Sequence, residues 1–331
     1  MTGSGRVSVV IPNWNGEQHL PMVLGSLRRQ KYRDFDVTVV DDGSTDRSVA
    51  YLESEWPDVR VVKQGRNEGW ASAWARGLEV TAGEYSVIMN NDIDFDDDWL
   101  QALVDELDRD PKLGFVTTKI VFQDDPDIIY QAGLDFYDYG RADTRGGMEH
   151  DDGRHDQPSA TTAATGAGSM FRRAAIDAAG GIDVDYWMYC EDVDLGLRIL
   201  LQGYRGLYLP APVGRHVGGA TMGKFPDVQR YHFWRNQLIT LVKDVPGPIL
   251  WRALLKAWLY NVHQYSHERD GGETKLIRKA YVDFLKALPQ TVAKRRRVQR
   301  SRRISPAEFR ALLHTEYPFP TRVPRLVGQR K

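Results

Sequence analysis

The chain has 331 residues, of which 42% are hydrophobic and 27% are charged, and its formal net charge is −1. This length allows one large domain with an appendage or two domains, and the composition is ordinary for a soluble globular protein. The single cysteine, Cys190, excludes a disulfide within the chain and favours a reducing compartment. The first residues lack the basic flank and apolar run of a signal peptide, and no segment approaches the roughly 18 consecutive apolar residues of a membrane span. We therefore expect a cytoplasmic protein that does not cross the membrane.

The first hundred residues alternate between strand and helix patterns. Apolar runs rich in β-branched residues predict four strands, at Val7–Ile11, Val37–Val40, Val59–Val62 and Tyr85–Met89. Apolar residues at helical spacing predict three intervening helices, which carry Leu20 to Leu27, Val49 to Trp56 and Trp70 to Leu78. This alternation predicts an α/β fold with a mainly parallel sheet and helices on both faces.

Three polar clusters follow strands at the carboxyl edge of the predicted sheet, where ligands bind in folds of this type. They are PNWNG at 12–16, DDGSTD at 41–46 and NNDID at 90–94. The first turn lacks Gly-x-Gly-x-x-Gly, and the chain has no Gly-Lys-Ser/Thr loop, so the sequence disfavours a dinucleotide-binding fold and a phosphate-loop NTPase. The third cluster is either an ordinary strand-end turn with a helix cap or a site for a hard cation and its phosphates.

Five motifs, taken in order, resemble the inverting family 2 glycosyltransferases of GT-A fold. They are VSVVIPNWNG, VVDDGSTD, GRNEGWASAWARGLEVTAGEY, VIMNNDIDF and YCEDVDLGLR. The likeness is to the non-processive bacterial branch that includes rhamnosyltransferases, since the Gln-x-x-Arg-Trp motif of processive synthases is not found. The resemblance implies a Rossmann-like catalytic domain over residues 1–240, followed by a basic helical region over 241–331.

The resemblance implies a nucleotide site at the first strand ends. Asp41 would accept a hydrogen bond from the nucleobase, and Asp42 would lie on the ribose side. The other residues expected to bind the donor are Pro12, Asn13, Asn15, Asn67, Asn90 and Asn91. The alternative for DDGSTD is a turn in which Ser44 caps the next helix.

A divalent cation would stabilise the negative charge that develops on the departing nucleoside diphosphate. The family uses an Asp-x-Asp motif, whose counterpart here is Asn90-Asn91-Asp92, with an amide in place of the first carboxylate. Asp92 is the expected metal ligand, and His216 resembles a downstream histidine that completes the metal site in several enzymes of this fold. Mg²⁺ or Mn²⁺ would suit such a site. A cap role for Asp92 and a structural role for His216 remain open.

The motif YCEDVDLGLR contains the expected general base. Direct displacement needs a carboxylate that removes the proton of the acceptor hydroxyl, and Asp192 occupies the position of the family's base. Glu191 would orient the acceptor or the loop, whereas Asp194 and Arg198 are expected to pair with each other on the following helix. The alternative is that these acidic residues only favour the start of a helix.

The acceptor region is expected beside this base, because the glycine-rich TGAGSMFRR resembles the family's floor beneath the acceptor sugar. The residues assigned to the acceptor region are Gly166, Ala167, Trp187, Trp234 and Arg235. The segment Met148–His155 also contains metal-ligand residue types. It lies in a long loop rich in Gly, Asp and Arg, so we expect a solvated loop there rather than a second metal site.

The last quarter of the chain is basic and helical. Residues 241–331 contain 20 Lys and Arg and 7 Asp and Glu, a balance of +13, whereas residues 1–240 contain 24 and 38, a balance of −14. The acidic body disfavours a nucleic-acid enzyme, and the basic tail suits anionic lipid or an acidic partner. Apolar residues four apart predict helices through Leu250–Val262 and Leu276–Leu288, and Ser305–Glu308 is typical of a capping box. The run KRRRVQRSRR at 294–303 is either a solvated connector or part of a dimerisation and inner-membrane docking module.

These features predict a metal-dependent inverting glycosyltransferase of cell-surface polysaccharide synthesis. It would transfer one sugar, with rhamnose from dTDP-rhamnose as the first candidate, from a dTDP- or UDP-sugar to a hydroxyl of a glycan or lipid-linked acceptor. A sugar-phosphate nucleotidyltransferase is one alternative, although PNWNGEQH lacks the basic, glycine-rich loop that it would need. A catalytically inactive nucleotide-sugar-binding module is the other, favoured by the replaced carboxylate. The expected partners also include an anionic membrane surface and a second copy of the chain, but no nucleic acid.

Overall fold

The computed structural model describes residues 5–218, 225–267 and 271–315, except for the side chains between residues 261 and 273. The strands are β1 (Val7–Asn13), β2 (Phe35–Asp41), β3 (Arg60–Lys63), β4 (Tyr85–Met89), β5 (Ile93–Phe95), β6 (Leu113–Phe122), β7 (Ile129–Gln131), β8 (Leu134–Phe136), β9 (Ala142–Thr144), β10 (Ser159–Ala160), β11 (Gly168–Arg172) and β12 (Arg205–His216). The helices are α1 (Leu20–Arg29), α2 (Ser48–Glu55), α3 (Trp70–Val80), α4 (Trp99–Arg109), α5 (Arg173–Ala179), α6 (Glu191–Leu201), α7 (Pro226–Asp244), α8 (Gly247–His267), α9 (Gly271–Ser301) and α10 (Pro306–Leu312). A short 3-10 turn, Val184–Tyr186, precedes α6.

One mixed sheet of ten strands positions the site. Its main path runs β10-β12-β6-β11-β4-β1-β2-β3, with β5 paired to β12 and β7 paired to β6. The pairs β1–β2, β1–β4 and β2–β3 are parallel, as predicted. In the other half, β11 lies antiparallel between β4 and β6, while β12 runs parallel to β6. The predicted α/β fold is therefore confirmed, with antiparallel pairs that the sequence pattern did not indicate.

The sheet separates two apolar cores, because successive side chains of β1 point to opposite faces of the sheet. Val7, Val9 and Ile11 pack in one core with α1 and α4, whereas Val10 faces the other core, which contains α3 and α6. All seven residues of β1 are buried, as expected for a strand covered on both faces. The continuous apolar runs that predicted β1 and β4 thus reflect their central position in the sheet.

The C-terminal helices pack on this body. Helix α7 crosses residue 240, and Leu241, Phe284 and Phe309 belong to the same core as α3 and α6. The division at residue 240 is a prediction that falls within one continuous helix. At α10 the predicted capping box is confirmed: Ser305 Oγ accepts from Glu308 N at 3.2 Å, and Ser305 N donates to Glu308 Oε2 at 2.7 Å.

The basic run at 294–303 is not a connector between helices, because α9 continues to Ser301. Arg295 Nη1 donates to the carbonyls of Val242 and Val245, at 2.6 Å each. Lys294 Nζ contacts the carboxylates of Asp183 and Asp185. This part of α9 is therefore joined by ion pairs and hydrogen bonds to α7 and to the segment before α6. Among the described residues, no helix combines the length and the hydropathy needed to span a bilayer.

Candidate active site

The carboxyl ends of β1, β2 and β4 meet at one edge of the sheet, joined through the side chain of Asn13. Asn13 Nδ2 donates to Asp41 Oδ1 at 3.2 Å, and Asn13 Oδ1 accepts from Asn91 Nδ2 at 2.8 Å. All three side chains are buried. A Cβ at Gly16 would lie 2.1 Å from Asn91 Nδ2 and 2.3 Å from Asn13 Oδ1, so only glycine fits there. Pro12, which is also buried, precedes this cluster on β1.

Asn15 fixes the loop after β2. Its φ is 51°, and its Oδ1 accepts from the backbone of Thr45 at 2.7 Å and of Asp46 at 3.3 Å. Ser44 Oγ accepts from Asn15 N at 2.9 Å. The prediction that Ser44 caps the next helix is wrong, because α2 begins only at Ser48. Ser44 instead holds the loop after β1 against the loop after β2.

Asp42 anchors the start of α3. Its two carboxylate oxygens accept from the backbone of Glu68 at 2.7 Å and of Gly69 at 2.9 Å, and Asn67 Oδ1 also accepts from Gly69 N, at 3.1 Å. Burial raises the pKa of Asp42. Gly69 has a φ of 93°, and a Cβ there would meet Trp187 at 2.5 Å. Asp42 and Asn67 thus shape the wall of the predicted nucleotide site, while their contact with a nucleotide stays a prediction.

The expected metal ligands face each other. Asp92 Oδ1 lies 2.8 Å from His216 Nε2, and Asn90 Nδ2 lies 3.1 Å from the same nitrogen. Asp92 and His216 are both buried, and His216 Nδ1 has no hydrogen-bond partner among the described residues. Burial acts to raise the pKa of Asp92, but the His216 charge and hydrogen bond outweigh it and lower that pKa.

This donor set fits a small divalent cation. One carboxylate oxygen and one imidazole nitrogen face each other at 2.8 Å, and both are ligand types that such a cation accepts. Among the described residues no group of three or more His, Cys, Asp or Glu side chains could hold a metal ion. A cation here would therefore complete its shell with phosphate oxygens and waters, as Mg²⁺ does beside nucleotides. In the segment Met148–His155, Lys119 Nζ binds Asp151 Oδ2 at 2.7 Å.

Asp192 lies in the first turn of α6, partly exposed. Its Oδ2 accepts from Gly166 N at 3.0 Å and its Oδ1 from Val193 N at 2.8 Å. Burial raises the pKa of Asp192, which moves it toward the range of a useful general base. Glu191 is buried, its Oε2 has no hydrogen-bond partner among the described residues, and burial together with the Asp192 charge raises its pKa well above the usual range.

Tyr130 packs against one of the candidate metal ligands, and the sequence did not indicate it. Its ring lies 4.5 Å from the His216 ring, edge to face. Burial, followed by the charges of Asp92 and Asp192, raises the pKa of Tyr130.

The predicted acceptor residues separate into two groups. Ala167 O accepts from Asn90 N at 3.1 Å, and Gly166 lies beneath Trp70, whose ring would be 2.8 Å from a Cβ at that position. Trp187 is in the loop before Asp192, and its ring stacks on His232 at 4.9 Å between centroids. Gly166 therefore contacts the base directly through its N–H group, Ala167 follows it, and Trp187 borders the start of α3. The other two residues lie on α7.

On α7, Trp234 lines a small cavity with Tyr139 and Tyr260. Arg235 Nη1 donates to Asp185 O at 3.2 Å, in the segment that leads to the base. Their direct contact with an acceptor stays a prediction. Arg235 has a visible structural role because it joins α7 to that segment.

A buried ion network lies behind the base. Asp194 Oδ2 accepts from Arg198 Nε at 3.0 Å, which confirms the predicted pair. Lys243 on α7 contacts both Asp194 and Asp183, the latter at 2.6 Å. Burial acts to raise the pKa of Asp194, but the charges of Arg198 and Lys243 lower it strongly. The sequence analysis missed Lys243, although a lysine followed by Asp244 in an otherwise apolar stretch was a signal for a buried pair.

Comparison with known proteins identifies the family. The family model described as glycosyl transferase family 2 matches residues 8–180. The chain is 27% identical over 276 residues to N-acetylglucosaminyl-diphospho-decaprenol L-rhamnosyltransferase of Mycobacterium tuberculosis, a match that covers 75% of this chain and 87% of the relative. It is 23% identical over 209 residues to poly-beta-1,6-N-acetyl-D-glucosamine synthase of Staphylococcus aureus, covering 62% of this chain and 48% of that protein.

Solved structures show the same fold. A mannosyltransferase from Pyrobaculum calidifontis in complex with GDP-Man and Mn²⁺ superposes with a TM-score of 0.54 at 19% identity, covering 91% of this chain and 86% of that one. Residues 1–349 of TarS from Staphylococcus aureus superpose with a TM-score of 0.57 at 16% identity, covering 92% and 89%. Both neighbours are glycosyltransferases of GT-A fold, so the predicted GT-A fold is confirmed.

The family match also decides between the classes of function that the sequence left open. The alternative of a sugar-phosphate nucleotidyltransferase is wrong, because the matched model and the named relatives are glycosyltransferases. The named relatives are also enzymes, which argues against a module that has lost catalysis. The chain is a nucleotide-sugar transferase that belongs to glycosyl transferase family 2.

Proposed function

We propose that this glycosyltransferase is a metal-dependent, inverting enzyme that transfers one L-rhamnose from dTDP-rhamnose to a hydroxyl of a lipid-linked glycan acceptor. The observation that carries the proposal is that two consecutive residues, Gly166 and Ala167, bind the Asp192 carboxylate and the backbone of Asn90, and so join the candidate base to the strand end that precedes Asp92. One carboxylate faces an imidazole, as a metal ligand should, and the other is free enough of ion pairs to act as a base.

The arrangement supports a single displacement. Asp192 removes the proton of the acceptor hydroxyl, while the N–H groups of Gly166 and Val193 hold its carboxylate in place. The acceptor oxygen then attacks the anomeric carbon from the face opposite the nucleoside diphosphate, so the configuration inverts. A divalent cation at Asp92 and His216 would stabilise the charge on the departing diphosphate. Asn13 and Asp41, linked to Asn91, would hold the nucleoside at the adjacent strand ends.

Support for rhamnose and for a lipid-linked acceptor comes from the mycobacterial relative, whose name contains both. The match spans 87% of that protein, so the two chains correspond over most of their length. Asn90 replaces the first carboxylate of Asp-x-Asp, and its Nδ2 lies 3.1 Å from the nitrogen that would ligate the cation, so the exchange removes a negative charge but keeps a polar side chain at the site.

A membrane-surface location follows from the acceptor and from the C-terminal helices. Helix α8 exposes an apolar stripe, defined by Trp251, Leu255, Trp258 and Leu259, which are 53 to 76% exposed. No Asp or Glu occurs between Gly247 and His267. An apolar stripe with tryptophans on a basic region suits the interface of an anionic bilayer, where a lipid-linked acceptor would be found. We place the enzyme at the cytoplasmic face of the membrane. The alternative is that the stripe on α8 binds a second copy of the chain and not the membrane.

The decisive experiment is turnover with a panel of nucleotide sugars. The full chain is incubated with dTDP-rhamnose, UDP-glucose, UDP-N-acetylglucosamine or GDP-mannose and a polyprenyl-diphosphate-linked N-acetylglucosamine acceptor, in Mn²⁺ or in EDTA. We expect release of dTDP and formation of a disaccharide-lipid only with dTDP-rhamnose and Mn²⁺. Turnover with another donor would reject rhamnose, and equal turnover in EDTA would reject metal dependence.

A further inference from the structure

One buried amide holds the loop that leads to Asp192. Asn236, on α7, is fully buried. Its Nδ2 donates to the backbone carbonyls of Tyr186 at 2.9 Å, Met188 at 2.8 Å and Tyr189 at 2.8 Å. An amide nitrogen carries two hydrogens, so two of these three acceptors share one of them. A single side chain therefore binds most of the carbonyls between residues 186 and 189.

The backbone of this loop explains why it needs such a partner. Trp187, Tyr189 and Cys190 have φ values of 62°, 64° and 68°, in the left-handed region that residues with a Cβ disfavour. Residues in such conformations persist only where their surroundings enforce them, and they cluster at functional sites.

The three hydrogen bonds fall where they control those angles. The carbonyls of Tyr186, Met188 and Tyr189 belong to the peptide planes that directly precede Trp187, Tyr189 and Cys190. Rotation about φ moves a residue relative to the peptide plane before it. By binding these carbonyls, Asn236 fixes the peptide plane that precedes each of the three residues with a positive φ.

The loop connects the donor side of the site with the base. Trp187 O accepts from Ala71 N, near the start of α3, at 3.0 Å. Cys190 is the N-cap residue of α6, and Asp192 follows two residues later. A change of the loop would therefore move Asp192 relative to the helix that borders the nucleotide site.

The hydrogen bond of the Asn236 amide oxygen fixes the orientation of the amide. Asn236 Oδ1 accepts from Arg235 Nη1 at 2.8 Å, so the oxygen points to the guanidinium and the nitrogen to the carbonyls. Arg235 Nη1 also donates to Asp185 O. The pair of Arg235 and Asn236 therefore binds backbone carbonyls from Asp185 to Tyr189.

We propose that Asn236 is a positioning residue for proton transfer, because it holds residues 186–190 in the one conformation that presents Asp192 to the acceptor hydroxyl. The proposal rests on the role of Asp192 given above. Asn236 itself touches neither substrate nor the reacting atoms, so its effect should appear in turnover and not in donor binding.

The kinetic test compares Asn236→Leu, of similar size but without a donor, with Asn236→Asp, which places an acceptor among the carbonyls. Gln237→Leu is the matched control, since it removes the neighbouring side-chain amide, whose Nε2 has no hydrogen-bond partner among the described residues. We expect both Asn236 variants to lower kcat about 100-fold through misplacement of the base. The dissociation constant of dTDP with Mn²⁺ should stay within about twofold in all variants. An unchanged kcat in both Asn236 variants would overturn the proposal.

A double-mutant cycle distinguishes positioning from a general structural role. In the Asp192→Asn background, Asn236→Leu should cause no further loss of kcat, because its effect acts through Asp192. A further loss of the same factor would show that Asn236 acts elsewhere and would overturn the proposal.

Hydrogen exchange gives a readout that does not need turnover. The amides of Trp187 and Met188 are hydrogen-bonded within the segment, to the carbonyls of Val184 and Tyr186. They should exchange at least ~10-fold faster in Asn236→Leu than in Gln237→Leu if Asn236 holds the loop. Unchanged exchange in Asn236→Leu would overturn the proposal. If exchange is faster in that variant but the wild-type chain has no transferase activity, only the proposed reaction is rejected.

Discussion

Asp92 and His216 lie 124 residues apart in the chain and meet at 2.8 Å, at an edge of the sheet where β5 pairs with β12. Asp92 precedes β5, and His216 is the last residue of β12, paired with Ile93. The register of two strands therefore sets the distance between a carboxylate and an imidazole. A cation bound there would be held by the sheet and not by a loop alone.

This pair predicts a metal-linked loss of donor affinity. Asp92→Ala should weaken binding of dTDP by at least ~10-fold in Mn²⁺, which is about 1.4 kcal/mol, and have little effect in EDTA. Calorimetric titration with dTDP in both conditions measures the difference. The control is Asp94→Ala, which removes a carboxylate that binds Arg29 Nη2 at 2.5 Å outside the pair. Equal weakening with and without the metal would identify Asp92 as a structural cap.

The base predicts both a substitution effect and a pH profile. Asp192→Asn should lower kcat by about 100-fold or more and leave the dissociation constant of dTDP unchanged.

In the wild type, burial raises the pKa of Asp192, and the base must be deprotonated to act. Transfer should therefore rise with pH through this raised pKa, and the residual activity of Asp192→Asn should lack that step. Asp177→Asn, at an exposed pair on α5, is the control, and near wild-type turnover in Asp192→Asn would remove this residue from the mechanism.

Asp244 predicts a loss of stability of the wild-type chain as pH rises. This carboxyl group is buried beside Asp194, no donor among the described residues reaches its oxygens, and burial raises its pKa well above the usual range. The folded state therefore holds the Asp244 proton to higher pH than the unfolded chain, so this group lowers the free energy of unfolding as pH rises above its unfolded pKa, about 3.9.

Asp244→Asn imitates the protonated group and should remove that decline. We expect the variant to be more stable than the wild type at pH 8 and nearly equal to it at pH 4, as measured by urea unfolding at both values. The charges of Lys243 and Arg198 oppose the effect and reduce its size. A variant less stable than the wild type at pH 8 would indicate that a charged Asp244 is needed by these cations.

The stripe on α8 predicts binding to anionic vesicles. Trp258→Glu should abolish binding to phosphatidylglycerol vesicles and leave dTDP binding unchanged, because a carboxylate repels the surface and removes an apolar contact. Sedimentation with vesicles in low and high salt measures this. Leu312→Glu, at an exposed apolar position on α10, is the control. Equal binding to anionic and neutral vesicles would contradict the prediction. If Trp258→Glu instead converts a dimer to a monomer, the stripe is a dimer interface.

Local chemistry made part of this site predictable. Asp92 and Asp41 follow apolar runs, and the end of a buried strand is where an α/β sheet binds its ligands. The direction of β11 was not predictable, because alternation of side chains is the same in parallel and antiparallel strands. Of the two alternatives for the run at 294–303, the solvated connector is wrong, because Arg and Lys are good helix formers and their long stems can pack on the body of the protein.

Asn236 could not be found from the sequence at all. Its partners are backbone carbonyls, which every residue carries, so no complementary residue type elsewhere in the chain signals the contact. Lys243 differs, because its partners Asp183 and Asp194 are acidic and could have been sought as a charge match. Side chains that bind the backbone are therefore the part of a site that a sequence conceals most completely.

The ion network between α6, α7 and α9 has a consequence for recombination between family members. Asp183 binds Lys243 and Lys294, and Asp194 binds Lys243, so the two acidic residues and their two lysines belong to different parts of the chain. A chimaera joined at residue 240 whose C-terminal part lacks these lysines would leave Asp183 without either cation and Asp194 with Arg198 alone. Functional exchange of the C-terminal helices should therefore succeed only when the incoming helices supply both lysines, or when the acidic positions are transferred with them.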